Sequence, residues 1–510
     1  MKWADGGGHG RGHMSTTCTS YVLQGIEAAR CVIEADVSHA TLPRTTIVGL
    51  PDMAVRESSE RVRIAIENSG FEYPFGRVTV NLAPADLRKE GPVYDLPIAL
   101  SILRAAGLLP PEAGGRLDRC LVAGELALDG TLRPVRGVVP LGVLARRCGI
   151  RHLILPLENG PEAGLVDAVS VWPARSLRDV VAHLSGTDRL RPVATDQRPE
   201  SSPGLDVDLG DIKGQESAKR ALVIAAAGRH NLLMVGPPGC GKTMLARALP
   251  GLLPPMTSEE VLELAQVHSC VGLRSGHAPV TVRPVRAPHH TASAASLVGG
   301  GTVPRPGEVS LAHHGVLFLD ELPEFTRGAL EALREPLQDR MVTVSRVSST
   351  VRFPASFLLV AAANPDRTSP RRRGIDRLSG PLIDRLDLQV ELRPVPVRML
   401  RSDHRADVDS SADMRRVVVR AVERAHDRQG TVPNGMLRGE QLDRFARMRP
   451  EAEACLIEVL QERELSARAW DSLRRIALTI CDLDDSDEIE RTHVVEATGY
   501  RVFDQAVRGT

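Results

Sequence analysis

NLLMVGPPGCGKTMLARAL, residues 231–249, decides how the rest of the chain is read. A short apolar run at 231–235 leads into GPPGCGKT at 236–243, and 244–249 continues with helical spacing, so the GxxxxGK[ST] pattern lies between a strand and a helix. Gly236, Gly239 and Gly241 let the main chain wrap close to phosphate oxygens, with Pro237, Pro238 and Cys240 completing the turn. The N–H groups at the start of the following helix point the same way. Lys242 is placed to neutralise β- and γ-phosphates, and Thr243 to give its hydroxyl to Mg²⁺. A glycine turn without a ligand is the plain alternative. Pattern and setting together favour ATP and Mg²⁺ as the cofactors.

Working outward, a second apolar run at 316–320 ends in adjacent carboxylates, Asp320 and Glu321. Asp320 is expected to hold Mg²⁺, often through water, and Glu321 to act as general base on the attacking water. An acid pair after a strand is commonly a solvated turn, but a phosphate loop in the same domain favours the catalytic reading. A third run, FLLVAAAN at 357–364, ends in Asn364, whose amide could orient that water from a neighbouring strand, although such residues are often only turn formers. Continuous apolar strands alternating with helices predict a parallel sheet covered on both faces.

At 510 residues the chain exceeds one core and is expected to be modular. Residues 1–13 are rich in Gly and His and read as a disordered arm or a misplaced start, with Met14 the expected first residue. Residues 14–185 mix β-rich runs (77–82, 152–156) with helical stretches (55–68), which predicts an α/β domain. Residues 186–208 gather Pro, Ser, Asp and Arg and read as a linker. The phosphate-loop domain is placed at 209–396. A helical subdomain follows at 397–510, with periodic stretches at 414–427, 441–448, 452–461 and 467–482.

Lys plus Arg equals Asp plus Glu at 64 each, so no global field draws the chain to a polyanion and any such contact needs a local basic patch. Eight cysteines without a CxxC pair indicate neither a disulfide framework nor a zinc cluster. No apolar stretch reaches the roughly 20 residues of a membrane helix, and the cytoplasm is the expected location. Two segments are candidates for DNA contact. RPVRAPHHTASAASLVGGG at 283–301 carries Arg283, Arg286, His289 and His290 before a glycine run. MVTVSRVSSTVRF at 341–353 alternates like a β-hairpin and carries Arg346 and Arg352. Both also suit plain solvated structure. A further arginine cluster falls at 367, 371–373 and 377.

These residues, with the longer words RAPHHTASAASLVGGG, PRPGEVSLAHHGVLFLDELPEF and RLSGPLIDRLDLQVEL, resemble the AAA+ superfamily and its magnesium-chelatase-like branch of the YifB or ComM type, over about residues 15–505. The resemblance implies a homo-oligomeric ring, a hexamer, with ATP held between subunits. It assigns Arg385, in LIDRLD, as the arginine finger and Arg468, in LSARAW, as the lid's sensor arginine. It also implies a helicase or branch-migration motor acting on DNA in recombination or transformation. The alternative is a chelatase-type or protein-remodelling ATPase. Residues 124–159 resemble the Lon-protease fold, but Val93 stands at the serine position and Leu141 at the lysine position, so peptidase activity is not expected. Where many relatives carry a Cys-rich insert after the sensor asparagine, PDRTSPRRRGIDRLSG has no cysteine, so zinc is not expected there either.

Overall fold

The computed structural model describes residues 16–38, 44–193, 207–273, 282–301, 304–346, 349–365, 378–396 and 410–503. The expected start at Met14, most of the 186–208 stretch and the arginine cluster at 367–377 lie outside them. The chain divides into two compact units, Met1–Pro199 with His268–Pro279, and Glu200–Val267 with Val280–Thr510.

The first unit is built on one seven-stranded sheet. Its strands are β1 (Thr17–Gln24), β2 (Glu27–Ser38), β3 (Arg44–Val48), β4 (Arg77–Ala83), β5 (Cys120–Val122), β6 (His152–Pro156) and β7 (Ser170–Ala174), in the order β3-β4-β2-β1-β5-β6-β7. β1 and β2 pair antiparallel as a hairpin, while β5, β6 and β7 pair parallel. Helix α1 (Met53–Asn68) starts where the Asp52 carboxylate accepts the Val55 N–H, and it buries Val55, Val62, Ala65 and Ile66 at helical spacing. Helix α2 (Asp95–Ala105) is buried almost throughout. Its first residue, Asp95, is a fully buried carboxylate made tolerable by Arg61 Nε at 2.8 Å, the Ser58 hydroxyl and the Leu126 N–H. On α3 (Val138–Arg147) Leu141 is fully buried, and Val93 packs against the unit's core. Both positions therefore carry packed hydrocarbon.

The second unit holds a five-stranded sheet. β8 (Leu232–Val235), β9 (Val285–Arg286), β10 (Val316–Leu319), β13 (Leu358–Ala363) and β14 (Leu388–Glu391) run in the order β9-β10-β13-β8-β14, every pairing parallel. β8, β10 and β13 are buried at every residue, which is why they read as unbroken apolar runs. An antiparallel hairpin, β11 (Met341–Arg346) with β12 (Ser349–Pro354), precedes β13. Helix α4 (Glu216–Gly228) covers the sheet with an alanine-rich buried face.

Beyond the sheet the unit is helical, with α6 (Ser411–Gln429), α7 (Pro450–Glu462), α8 (Ala467–Leu483) and α9 (Arg491–Gly499). Ser410 and Asp413 form a capping box at the start of α6, and Ser466 caps α8, each worth about 1 kcal/mol. Buried Asp387, just ahead of β14, ties the sheet to α8 through the Ser472 hydroxyl at 2.7 Å and Arg475 at 3.3 Å.

The pair His313–His314, at the head of β10, pins the strand to the helix Ser258–Val271. His313 Nε2 and His314 Nε2 lie 3.1 and 2.7 Å from one oxygen of Glu263. The Ser356 N–H donates to His313 Nδ1 at 3.0 Å, so the ring proton sits on Nε2 and is donated to Glu263. That leaves His313 no lone pair for a metal, and the trio is a hydrogen-bonded pin. Burial, reinforced by the neighbouring His314 and Arg229, pulls His313 down to about 4. Its folded pKa thus lies below the unfolded value of about 6.5, so its contribution is complete above that pH and is lost as pH falls toward 4. The expected loss is up to about 3 kcal/mol. Urea midpoints of the parent should drop between pH 6.5 and 4.5, and those of His313→Gln should drop less. Parallel curves would contradict this role.

Candidate functional site

Because all five strands run the same way, the loops that follow them gather at one edge, the place where open parallel sheets take ligands. After β8 comes the loop 236–241, leading into α5 (Lys242–Ala248). After β10 come Asp320 and Glu321, and after β13 comes Asn364. Four expected side chains, those of Lys242, Thr243, Asp320 and Asn364, meet here in two pairs. Lys242 Nζ is 2.9 Å from Asn364 Oδ1, and it also bonds the Gly236 and Pro237 carbonyls at 2.6 and 3.0 Å. Thr243 Oγ1 donates to Asp320 Oδ2 at 3.3 Å, while Asp320 Oδ1 accepts the Glu321 N–H at 2.9 Å.

The loop's shape requires its glycines. A β-carbon at Gly236 would sit 2.7 Å from the Leu392 carbonyl oxygen, a contact that real side chains do not make. Gly241, the residue ahead of α5, has φ +96, left-handed backbone that other residues adopt only with strain. The main chain therefore bends close, with the Gly236 N–H donating to the Ala363 carbonyl at 3.1 Å and the Cys240 N–H to the Pro237 carbonyl at 3.4 Å. A hydroxyl and a carboxylate 3.3 Å apart form the hard oxygen set that Mg²⁺ prefers, so the residues present fit both cofactors.

Glu321 is the only member of the site with unusual backbone among Lys242, Thr243, Asp320, Glu321 and Asn364. Its φ of +51 and ψ of +45 are left-handed, and its carboxylate is half exposed. Such geometry in a residue with a β-carbon costs on the order of 1–2 kcal/mol and collects at functional sites. His290 Nδ1 lies 3.2 Å from Glu321 Oε2. No sequence pattern announces that contact, because the two residues leave different strands.

The two arginines assigned by resemblance are elsewhere. Arg385 precedes β14, and its carbonyl accepts the amide of Asn231, which precedes β8, so it sits at the sheet's opposite edge, about 13 Å of strand away from the phosphate loop. Its guanidinium bonds Pro381 O at 2.6 Å and Gln338 Oε1 at 2.5 Å. Arg468, near the start of α8, lies 3.6 Å from Asp384. Burial, then the nearby Arg468 and Arg334 cations, lower the pKa of Arg385, an electrostatic sign that these arginines cluster.

Of the arginines in the two segments read as candidates for DNA contact, Arg286 pairs with Glu308 through two hydrogen bonds of 2.6 and 2.9 Å and Arg283 with Glu260 at 2.9 Å. The Arg286 charge is paired within the chain. On the hairpin, Arg352 is exposed beside exposed Thr343, Ser345 and Thr350, with Val342 and Phe353 turned inward. The side chain of Arg346 is outside the described residues.

A parallel sheet in this strand order, with a phosphate loop, an acid pair and a polar residue on successive strand ends and a helical subdomain behind, defines an AAA+ P-loop ATPase fold. Residues 208–400 match the family described as magnesium chelatase, subunit ChlI. Residues 33–159 match subunit ChlI of Mg-chelatase, and 408–501 match the ChlI C-terminal family. The chain is 44% identical to competence protein ComM of Haemophilus influenzae over 95% of its own length and 97% of the relative's. It is 43% identical to YifB of Salmonella typhimurium, covering 94% and 96% of the two chains. A magnesium-chelatase 38 kDa subunit of Cereibacter sphaeroides is 30% identical over 36% of this chain and 57% of its own. The chain belongs to the magnesium-chelatase-like AAA+ family that contains YifB and ComM. Among the described residues no helix is long and apolar enough to cross a membrane.

Proposed function

We propose that this chain hydrolyses Mg-ATP at the edge formed by the loop 236–243, Asp320, Glu321 and Asn364, and that it works in the cytoplasm as a ring of six copies moving DNA, as a helicase or branch-migration factor in recombination or transformation. The convergence of Lys242, Thr243, Asp320 and Asn364 on one edge of a parallel sheet carries the ATPase reading. Gly236, Pro237, Pro238, Gly239, Cys240 and Gly241 form the phosphate cradle. Lys242 supplies charge to the β- and γ-phosphates, and Asn364, bonded to it, holds the attacking water in line. Glu321 takes the proton from that water. Mg²⁺, held by Thr243 and Asp320, supplies Lewis-acid charge to the phosphates when bound.

The position of Arg385 and Arg468 supports the ring. Both lie at the edge remote from their own chain's phosphate loop, so either could reach a γ-phosphate only in a neighbouring copy. A guanidinium fork there matches the spread charge of phosphoryl transfer. DNA is the favoured substrate because a relative matched over nearly the whole of both chains is a competence protein, whereas the magnesium-chelatase subunit matches over 36% of this chain, and because the hairpin presents Arg352 among hydroxyls. The Lon-like unit, with hydrocarbon at Val93 and Leu141, is assigned a structural, docking or nucleic-acid role.

ATP turnover across single strands, duplexes, forks and an unfolded protein tests this reading. Forked or single-stranded DNA should raise turnover at least about threefold, with stimulation that weakens as salt rises. Stimulation by the unfolded protein alone would favour the remodelling alternative. No stimulation by any DNA, with no retention on DNA at low salt, would remove the DNA reading.

A further inference from the structure

Asn231, the residue ahead of β8, is buried, and both ends of its side-chain amide are committed. Oδ1 accepts the Leu359 N–H at 3.0 Å, and Nδ2 donates to the Arg385 carbonyl at 3.0 Å. Its own carbonyl accepts the Leu388 N–H at 3.0 Å. Because β8 lies between β13 and β14, this one residue holds both flanking segments at the edge opposite the phosphate loop. The two partners also fix which residue type can stand there. A main-chain N–H needs an acceptor and a carbonyl needs a donor, and an amide side chain offers one of each on adjacent atoms. Aspartate would serve Leu359 alone, and leucine would serve neither.

The carbonyl that Asn231 grips belongs to Arg385, and the grip continues on the residues that follow. Arg501 Nη1 donates to the Leu386 carbonyl at 3.0 Å, and the Asp387 carboxylate accepts the Ser472 hydroxyl at 2.7 Å. The base of the turn is thus fixed from three directions. The Arg385 guanidinium, by contrast, meets two neutral oxygens, Pro381 O and Gln338 Oε1, and a phosphate oxygen is a stronger acceptor than either. A fixed base with a releasable tip is what a guanidinium needs if it is to serve a γ-phosphate held by another copy. We infer that Asn231 is a positioning residue for this arginine: from the foot of the strand that leads to its own phosphate loop, it sets where Arg385 stands in the neighbouring copy's site. This rests on the reading of Arg385 as acting in a neighbouring copy. Placement matters there because an error of about 1 Å in such a group costs about 10²-fold in rate. β8 is four residues long, so one short strand carries a copy's own cradle at one end and its contribution to the next copy at the other.

The experiment is steady-state ATP hydrolysis by the full chain, by Asn231→Ala and Asn231→Asp, and by equimolar mixtures of each variant with Glu321→Gln assembled together in Mg-ATP. Each Asn231 variant should bind Mg-ATP as the parent does and turn over at least about thirtyfold more slowly. Mixing should raise turnover at least about threefold above either component alone, because copies with a sound base then receive the well-placed arginine of a Glu321→Gln neighbour. Arg385→Ala mixed with Glu321→Gln is the reference and should be restored in the same way. Asn231→Asp keeps the acceptor for Leu359 and loses only the donor to Arg385, so it decides the matter should the alanine variant not fold. A merely structural asparagine would damage its own copy's site, which no neighbour can mend. Restoration of Arg385→Ala without restoration of either Asn231 variant would therefore overturn the positioning role, as would parent turnover in Asn231→Ala. Failure to restore Arg385→Ala would bring down the action in a neighbouring copy and the positioning role with it, and an inactive parent would bring down the ATPase reading itself.

Discussion

Glu321→Gln is expected to bind Mg-ATP as tightly as the parent and to hydrolyse it about 10²–10⁴ times more slowly. The substitution keeps the size and the hydrogen-bonding reach of the side chain but removes its ability to take a proton. Nothing that holds the nucleotide changes: the Thr243–Asp320 contact at 3.3 Å and the Lys242 contacts lie on other side chains. The left-handed backbone at Glu321 is kept as well, since glutamine has the same β-carbon geometry. Fluorescent-nucleotide titration alongside phosphate release separates the two effects. A variant that turns over at the parent rate would move the general base elsewhere, and a variant that fails to bind would mean that Glu321 shapes the phosphate cradle.

Much of this site is legible in the sequence because phosphate binding needs consecutive residues. A cradle made from successive backbone N–H groups has to be written as one word, and 236–243 is that word. Asp320 and Asn364 are readable for a related reason, as polar residues ending wholly buried strands. Strand His152–Pro156 falls where its apolar run predicts, and helix Ala467–Leu483 within one residue of the expected 467–482.

Contacts between distant segments are not written this way. The bond from Lys242 to Asn364 depends on β8 lying beside β13, a strand order that no local pattern encodes. The pairing of Arg286 with Glu308 is equally hidden, and a sequence reading counts Arg286 as free positive charge. So is the placement of Arg385, whose word LIDRLD suggests catalysis without saying which edge of the sheet it occupies. In the pair His313–His314 the sequence shows only two histidines, while the Ser356 N–H that fixes the proton comes from a segment reached through the hairpin.

Lys242→Ala is expected to lose both binding and hydrolysis, because its ammonium is the one charge inside the loop. Lys242 is nearly buried, and its three oxygen contacts, to Gly236, Pro237 and Asn364, show that the site can hold a cation at that point. A phosphate oxygen offers a stronger acceptor than any of these, since charge-assisted hydrogen bonds are about twice as strong as neutral ones. Alanine leaves two carbonyls and an amide without that donor and leaves the incoming negative charge uncompensated, so ATP affinity should fall at least about 100-fold. Equilibrium binding of labelled ATP in the presence of Mg²⁺, followed by phosphate release on the same samples of parent and Lys242→Ala, is the most direct measurement. The parent should bind and hydrolyse the nucleotide and the variant should do neither; equal binding and equal hydrolysis by the two would contradict a triphosphate seated on residues 236–243.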